Sequence, residues 1–349
     1  MEKTIKGLIY RLVKTLAKIS LRFFYRGIDM EGKENIPKDG PIIYAVNHQN
    51  AFLDAVIVGA LSPIPTYFMT RSDVFKPPFD WFLDALKMMP IYRIRDGYNS
   101  LSKNDAIFDT CSKILFDKQA LLIFPEGNHG LEYYLRPLTK GISRISLQSQ
   151  VATELSIKII PVGLNYFDHF NSGHKLIIKY GAPILVKDSL PLYEEHKHQG
   201  LRQFTETISV GMQKTLVISQ DSETYPEQKK IFQRKNEGLN FEELRHNLDN
   251  SKYHESEKRY PLLATIGKLF SIPNLPPILL TQFIIKKKVS QKIFIGSIKI
   301  AALILLFPLW FLLCFIVCLL IGGFKLAGLV LLVQIVTLII RRELVRLNH

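Results

Sequence analysis

Short apolar runs alternate with longer amphipathic segments in the middle of the chain, between residues 28 and 220. Runs rich in β-branched and aromatic residues predict strands over 42–46, 66–69, 120–124, 158–163 and 175–180. Segments whose apolar residues recur every three or four positions predict helices over 52–61, 78–88, 103–117, 140–153 and 197–218. Because strands and helices alternate, we expect an α/β domain over 28–220, with a mixed sheet flanked by helices.

Residues 1–27 show a different pattern, in which apolar and basic positions both follow a helical period. The apolar positions are Ile5, Leu8, Ile9, Leu12, Val13, Leu16, Ile19 and Phe23, and the basic ones are Arg11, Lys14, Lys18 and Arg22. The segment is too charged to span a membrane and has no small-residue cleavage site. It predicts an amphipathic helix lying in the membrane interface; the alternative is a first helix packed on the domain core.

The carboxyl-terminal segment, 293–349, is strongly apolar. Residues 300–321 contain no charged residue, and a helix needs about 20 apolar residues to cross a bilayer. Gly322 and Gly323 then precede a shorter apolar run over 326–340, which ends at Arg341. This pattern predicts a transmembrane helical hairpin whose basic flanks both face the cytoplasm. Because the second run is short, a re-entrant or tilted hairpin is the alternative.

The net charge of +14 lies at the two ends of the chain. Residues 1–26 carry +6 and residues 284–349 carry +8, so the residues between them are neutral overall. A nucleic-acid binder is expected to carry its basic patch on the folded domain. The distribution therefore argues against nucleic acid as a partner and indicates attraction to anionic membrane lipids. The polar stretch from residue 221 predicts a helical arm that ends in a basic juxtamembrane segment at residue 292.

A candidate catalytic cluster follows the first predicted strand, where Asn47 and His48 lead into a helix that carries Asp54. A carboxylate beside a histidine fixes the imidazole tautomer, and the imidazole can then remove a proton from an attacking hydroxyl group. The same residues also suit an ordinary helix start, in which a polar side chain caps backbone amides. The chain has no G-x-S-x-G sequence, which argues against an esterase with a serine nucleophile.

A second cluster contains Arg93 and Arg95, directly after the run over 89–92. The guanidinium group presents a planar set of donors that matches phosphate geometry. The alternative for these residues is a surface hairpin with solvated charges.

A third cluster, Glu126 and Gly127, follows the predicted strand over 120–124. The carboxylate can accept a hydrogen bond from a substrate hydroxyl group, and glycine allows the backbone to approach a ligand closely. Arg136 and Lys140 lie just downstream, where a helix begins whose amino terminus can hold an anion. A fourth cluster, around Pro161, is an apolar strand that suits a structural role or the lining of an acyl groove.

The sequence gives little support for a metal site or a disulfide. Cys111, Cys314 and Cys318 have no CxxC or CxxH neighbourhood. A metal-dependent phosphatase would need His48, Asp54, Glu126 and His129 as ligands, but these residues do not have the spacing of a known ligand set. We therefore expect no metal.

The four clusters, in this order, resemble the four motifs of the glycerolipid acyltransferase family, which includes lysophosphatidic acid and glycerol-3-phosphate acyltransferases. The resemblance covers about residues 28–185. It implies that His48 is the catalytic base, Asp54 its orienting carboxylate and Arg93 the phosphate-binding arginine. It also implies that Glu126 and Gly127 bind substrate and that Pro161 belongs to the fourth motif.

Two departures from the family pattern matter. Five residues separate His48 from Asp54, where four are common; glycerol-3-phosphate or dihydroxyacetone-phosphate acyltransferases resemble this chain in carrying five. Asn128 and His129 replace the Thr-Arg pair frequently found after Pro-Glu-Gly, so Arg95, Arg136 or Lys140 is expected to supply the missing cation.

The resemblance implies an O-acyltransferase that moves a fatty acyl group from a thioester to a hydroxyl of a glycerol-phosphate lipid precursor, with 1-acylglycerol-3-phosphate favoured. Glycerol-3-phosphate or dihydroxyacetone phosphate is the alternative acceptor. Acyl-CoA or acyl carrier protein would supply the thioester as co-substrate, and no other cofactor is expected. The catalytic domain is expected on the cytoplasmic side of a membrane. A non-enzymatic membrane-surface binding protein would explain the basic ends of the chain but not the four clusters.

Overall fold

A computed structural model describes residues 2–91, 103–233, 238–250 and 261–346. Its strands are β1 (Gly27–Glu31), β2 (Ile42–Val46), β3 (Thr66–Arg71), β4 (Met88–Ile91), β5 (Ala120–Ile123), β6 (Lys158–Tyr166), β7 (Lys175–Tyr180) and β8 (Ile184–Leu185). They form one sheet in the order β1-β7-β6-β2-β5-β3-β4, and β8 pairs with β6. The β6–β7 and β6–β8 pairs are antiparallel and the other pairs are parallel. The predicted mixed α/β sheet is therefore confirmed.

Helices pack on both faces of this sheet, and two more contact the apolar carboxyl-terminal helix. They are α1 (Glu2–Phe24), α2 (Phe52–Leu61), α3 (Asp80–Ala85), α4 (Lys103–Phe116), α5 (Gly141–Val151), α6 (Leu190–Glu195), α7 (Lys197–Gln213), α8 (Tyr225–Gln233), α9 (Phe241–Asp249), α10 (Pro261–Leu269), α11 (Leu275–Lys288) and α12 (Ile295–Arg346). The predicted helix over 78–88 is only partly right, because α3 ends at Ala85 and the chain enters β4 at Met88.

Alternate residues of β2 face two separate cores. Tyr44 and Val46 pack in a cluster with α1, α2 and the start of α12, while Ile43 and Ala45 pack with α4, α5 and α7. This two-residue period places both faces of the central strand in apolar surroundings. A parallel strand buried on both faces is expected to be apolar throughout, as the sequence of β2 is.

The amino-terminal helix α1 packs on the domain core and leaves part of its apolar surface exposed. Ala17, Leu21 and Phe24 are buried against the domain. On the opposite side, Leu8 and Leu12 are 57% and 60% exposed. The helix is thus attached to the domain core and still presents apolar side chains outward. That these side chains enter a membrane interface stays a prediction.

The long apolar helix α12 is interrupted at Gly323, whose φ of 71° is not helical. Before the interruption, the Trp310 indole N–H donates to the Pro273 carbonyl at 3.0 Å. After it, the Gln334 carbonyl accepts from the Asn274 amide at 3.2 Å. Both legs therefore contact one short segment, and the chain reverses direction at Gly323. Residues 292–344 are long and apolar enough to cross a bilayer, with a mean hydropathy of 3.1 over an 18-residue stretch within them, and a transmembrane hairpin stays a prediction.

Candidate active site

Three parallel strands, β5, β2 and β6, end at one edge of the sheet. His48 follows β2, Glu126 follows β5 and Tyr166 ends β6. Asn47 joins two of these strand ends: its amide donates to the Leu164 carbonyl at 3.1 Å and its side-chain oxygen accepts from the Leu164 N–H at 2.7 Å. The carboxyl ends of parallel strands are where open α/β sheets place their ligand sites.

His48 and Asp54 form a buried pair at this edge. His48 Nδ1 lies 2.8 Å from Asp54 Oδ2, and the Asp54 side chain is fully buried while that of His48 is 15% exposed. With Asp54 ionised, Nδ1 carries the proton and donates, so that Nε2 keeps a free lone pair. The structure thus brings together the two residues that the sequence paired, in the arrangement that a general base requires.

Asp54 also caps the loop that precedes its own helix. Its Oδ2 accepts from the backbone N–H groups of Gln49 at 2.9 Å and Asn50 at 2.8 Å. Its Oδ1 accepts from the Tyr166 hydroxyl. Both interpretations of Asp54 from the sequence, a helix-start cap and a partner of His48, therefore describe the same carboxylate. Tyr166 was missed by the sequence reasoning, because nothing in the local spacing links the end of β6 to Asp54.

Two rings limit how the His48 imidazole can move. It stacks on Phe124, with ring centroids 3.9 Å apart and an interplanar angle of 12°, and meets the His129 ring at 5.6 Å in a T-shaped contact. Burial lowers the pKa of His129. A neutral His129 adds no positive charge next to His48. The arginine frequently found after Pro-Glu-Gly in the family is thus replaced here by an uncharged ring.

Glu126 has partners on both carboxylate oxygens. Oε1 accepts from the His48 backbone N–H at 2.9 Å, and Oε2 pairs with Arg136 Nη2 at 2.5 Å. Burial raises the pKa of Glu126 to about 7, and the Arg136 charge acts in the opposite direction. Gly127 follows with φ of +76°, in the left-handed region that favours glycine. In this arrangement Glu126 fixes the backbone that carries His48.

Arg136 is held by several groups around the same loop. It donates to the side-chain and backbone oxygens of Asn128 and, at 3.3 Å, to the His48 carbonyl. Lys140 lies exposed just before α5, and no contact described for it reaches His48 or Glu126. Arg93 and Arg95 lie outside the described residues. Among the residues that the structure describes, no three His, Cys, Asp or Glu residues form a group that could hold a metal ion.

An apolar cavity lies beside the helix that carries Asp54. It has a volume of about 140 Å³ and lies between α1, α2, β3 and the first leg of α12. Its lining includes Phe52, Ala55 and Val56 from α2, together with Phe68 and Ile304. The cavity therefore adjoins the first turn of the helix behind the His48–Asp54 pair.

The chain is similar to known proteins over part of its length. Residues 27–165 match the family model described as Acyltransferase. A glycerol-3-phosphate O-acyltransferase 1 of Saccharomyces cerevisiae is 30% identical over 106 residues, covering 29% of this chain and 14% of the relative. A 1-acyl-sn-glycerol-3-phosphate acyltransferase of Chlamydomonas reinhardtii is 26% identical over 142 residues, 40% of this chain and 39% of the relative.

A crystal structure of the 1-acyl-sn-glycerophosphate acyltransferase from Thermotoga maritima also matches, with a TM-score of 0.45 and 17% sequence identity, over 62% of this chain and 81% of that one. The family match confirms the resemblance predicted from the four sequence clusters, since the Acyltransferase model covers residues 27–165. The chain spans 14% and 39% of the lengths of the two curated relatives.

Proposed function

We propose that this chain is a membrane-bound O-acyltransferase that transfers a fatty acyl group from a thioester to a hydroxyl group of a glycerol-phosphate lipid precursor. The observation that carries the proposal is the His48–Asp54 pair within the acyltransferase domain. Its histidine is oriented through Nδ1 by a fully buried carboxylate, 2.8 Å away, and Nε2 has no hydrogen bond to a residue that the structure describes.

The chemistry is a single displacement. His48 Nε2 takes the proton of the acceptor hydroxyl as the oxygen attacks the thioester carbonyl. The new carbon–oxygen bond forms, the carbon–sulfur bond breaks, and the thiolate leaves and takes up the proton. A thioester is already activated, so placing the two substrates together and removing one proton are sufficient tasks for the protein. Asp54 stabilises the imidazolium that forms.

Binding of the acceptor phosphate is assigned to Arg93 by resemblance, with Arg95 and Lys140 as further candidates. Arg136 is less suited to this role in the observed arrangement, because its guanidinium already contacts Glu126, Asn128 and the His48 carbonyl. The apolar cavity beside α2 is suited to the hydrocarbon part of a lipid substrate.

We favour 1-acylglycerol-3-phosphate as acceptor, with glycerol-3-phosphate or dihydroxyacetone phosphate as the alternative. The two relatives described above are named for the same two acceptors, glycerol-3-phosphate and its 1-acyl derivative. The donor is acyl-CoA or the thioester of acyl carrier protein. We place the domain on the cytoplasmic face of the membrane, because basic residues flank both apolar runs of the carboxyl-terminal segment.

The test is a radiolabelled acyl-transfer assay on the purified full chain in phospholipid vesicles, with a panel of these acceptors and both donors. His48→Ala should abolish nearly all turnover, by about 1,000-fold or more, while acceptor binding persists. His198→Ala is the matched control, because this histidine lies exposed on α7, and it should behave as the unmodified chain does. Near-normal turnover by a folded His48→Ala protein would show that His48 is not the general base.

A further inference from the structure

The start of α12 reaches the catalytic loop, here defined as residues 48–54, although α12 lies outside the acyltransferase domain. The Ser297 hydroxyl donates to the Asn50 carbonyl at 3.0 Å and accepts from the Leu53 N–H at 3.1 Å. Ser297 is buried, with 5% of its surface exposed. One side chain from the carboxyl-terminal segment therefore bridges two backbone groups between His48 and Asp54.

The backbone of the catalytic loop is strained at Ala51, between the two groups that Ser297 contacts. Ala51 has φ of 43° and ψ of −123°, a backbone conformation that residues with a Cβ rarely adopt. Strained backbone persists only when its surroundings hold it in place. Asn50 and Leu53 lie on either side of Ala51, and the Leu53 N–H donates to the Asn50 carbonyl at 2.9 Å. The two hydrogen bonds of Ser297 reinforce this closure across the strained residue. This is also the loop with one residue more than the common family spacing.

The packing around the loop leaves no space for a larger residue before Ser297. A Cβ on Gly296 would lie 2.8 Å from Asn50 Oδ1 and 2.8 Å from the His169 carbonyl. The Asn50 amide donates to that same carbonyl at 2.6 Å, and His169 Nε2 lies 3.1 Å from Gln49 Oε1. The loop is thus enclosed between the segment after β6 and the start of α12.

A second contact connects the same segment to the histidines. The Phe294 ring meets the His129 ring at 5.3 Å, and His129 meets His48 at 5.6 Å. Phe294, Gly296 and Ser297 therefore contact the site from one short stretch, which continues directly into the apolar helix.

We propose that residues 294–297 form a positioning element for the catalytic loop, with Ser297 as a positioning residue, so that docking of α12 on the domain sets the rate of acyl transfer. The inference rests on the proposed function for its kinetic part. The membrane anchor is then also a component of the active site, and turnover depends on how α12 sits against the loop. Ser297 touches neither substrate nor the reacting atoms; it acts through the backbone that carries His48 and Asp54.

The experiment uses the full chain in phospholipid vesicles and compares Ser297→Ala, Ser297→Thr and Thr337→Ala. Ser297→Ala should lower kcat by about tenfold to 100-fold, as small displacements of a catalytic group do, with little change in either KM. Ser297→Thr keeps the hydroxyl and should recover most of the lost turnover. Thr337 is the matched control, because its hydroxyl donates only to carbonyls of its own helix, those of Val333 and Gln334.

Hydrogen exchange of the peptide covering 49–54, followed by mass spectrometry, provides a measurement that does not depend on the substrate. Ser297→Ala should accelerate exchange in this peptide and leave the β6 peptide protected. Should Ser297→Ala not fold, Phe294→Leu keeps the apolar contact and removes only the ring, and it should lower kcat with unchanged KM. Normal exchange and normal kcat in folded variants would overturn the proposal. A full chain that transfers no acyl group, but whose loop loosens on Ser297→Ala, would instead contradict the proposed function alone.

Discussion

Each carboxylate oxygen of Asp54 already has donors, which come from two parts of the chain. Oδ2 accepts from His48 and from the Gln49 and Asn50 backbone, and Oδ1 accepts from the Tyr166 hydroxyl. A buried carboxylate is stable as an anion only when such donors replace its lost hydration. The orientation of His48 therefore depends on a tyrosine that contacts neither the imidazole nor any proposed substrate position.

Replacing Tyr166 with phenylalanine should disturb the orientation of His48 without affecting the binding of the acceptor. Tyr166→Phe leaves Oδ1 buried without its donor, which costs about 1–3 kcal/mol of stability. We expect kcat to fall by about tenfold, since a less constrained Asp54 holds His48 less precisely, and the acceptor KM to change little. Steady-state kinetics and thermal unfolding of the same preparation check both parts. Tyr44→Phe is the control, because the hydrogen bond described for its hydroxyl group joins it to Ser62, directly after the last residue of α2. A Tyr166→Phe enzyme with full turnover would show that the Oδ1 contact is dispensable.

At this scale the sequence predicted the His48–Asp54 pair but none of its distant supports. Local spacing shows which residues a loop and a helix bring close together. It does not show that Tyr166, His169 and Ser297 lie against the same loop, because these contacts depend on how β6 and α12 pack. The observed roles of Glu126 and Arg136 as supports of the His48 backbone were likewise outside what residue type and order can indicate.

Among the elements, the apolar central strands were predictable and the edges of the sheet were not. The strands β2, β5 and β6 are apolar runs between loops, which is the pattern of buried parallel strands. The edge strand β1, GIDME, has too little apolar character to stand out, and β4 contains Pro90, which edge strands tolerate. The β4 residues were partly assigned to a helix because MMPI has no alternating pattern.

The turn after β5 provides a prediction at this scale. Gly127 has φ of +76°, and a Cβ there would lie 3.0 Å from Thr139 Cγ2. Gly127→Ala should therefore cost about 1–2 kcal/mol for the left-handed conformation alone and lower turnover as well, because the turn positions Glu126. Gly7→Ala in α1 is the matched control: it meets nothing within 4 Å, and alanine should stabilise the helix by up to about 1 kcal/mol. Urea unfolding compares the two. Equal free energies of unfolding for the two variants would show that the turn accommodates alanine at Gly127 without loss of stability.

For the molecule as a whole, α1 and α12 are attached to the catalytic domain on one face of the sheet. Leu21 and Phe24 of α1 and Ile300 and Ile304 of α12 belong to the same buried cluster as Leu53 and Ile57 of α2. The sequence divides the chain into an interface helix, a domain, an arm and a hairpin, on the basis of composition. Composition does not show that the first turns of an apolar helix serve the domain core.

Removal of residues 293–349 should therefore do more than release the domain from a membrane. It withdraws Ile300 and Ile304 from the core, a loss of roughly 3–6 kcal/mol at the usual value for buried isoleucine, together with the Ser297 bridge. We expect a lower unfolding temperature and strongly reduced turnover in detergent solution. Removal of only 323–349 is the control. It keeps the first leg of α12 and should retain most of the thermal stability and most of the turnover. A shorter chain that unfolds and turns over as the full chain does would show that α12 is only an anchor.

The position of β2 in the sheet also fixes the order in which the site can assemble. Its neighbours are β5 and β6, so Ile42 pairs with Ala120 and with Lys158, both far along the chain. While the protein is being synthesised, the strand that leads to His48 has two open edges until β5 emerges from the ribosome, and one open edge until β6 does. Long-range parallel pairing is slow to form, and apolar strands with open edges associate with other chains. The His48–Asp54 pair is therefore translated early but assembled late. Chains stalled before residue 158 are expected to aggregate rather than to remain as folded, inactive protein.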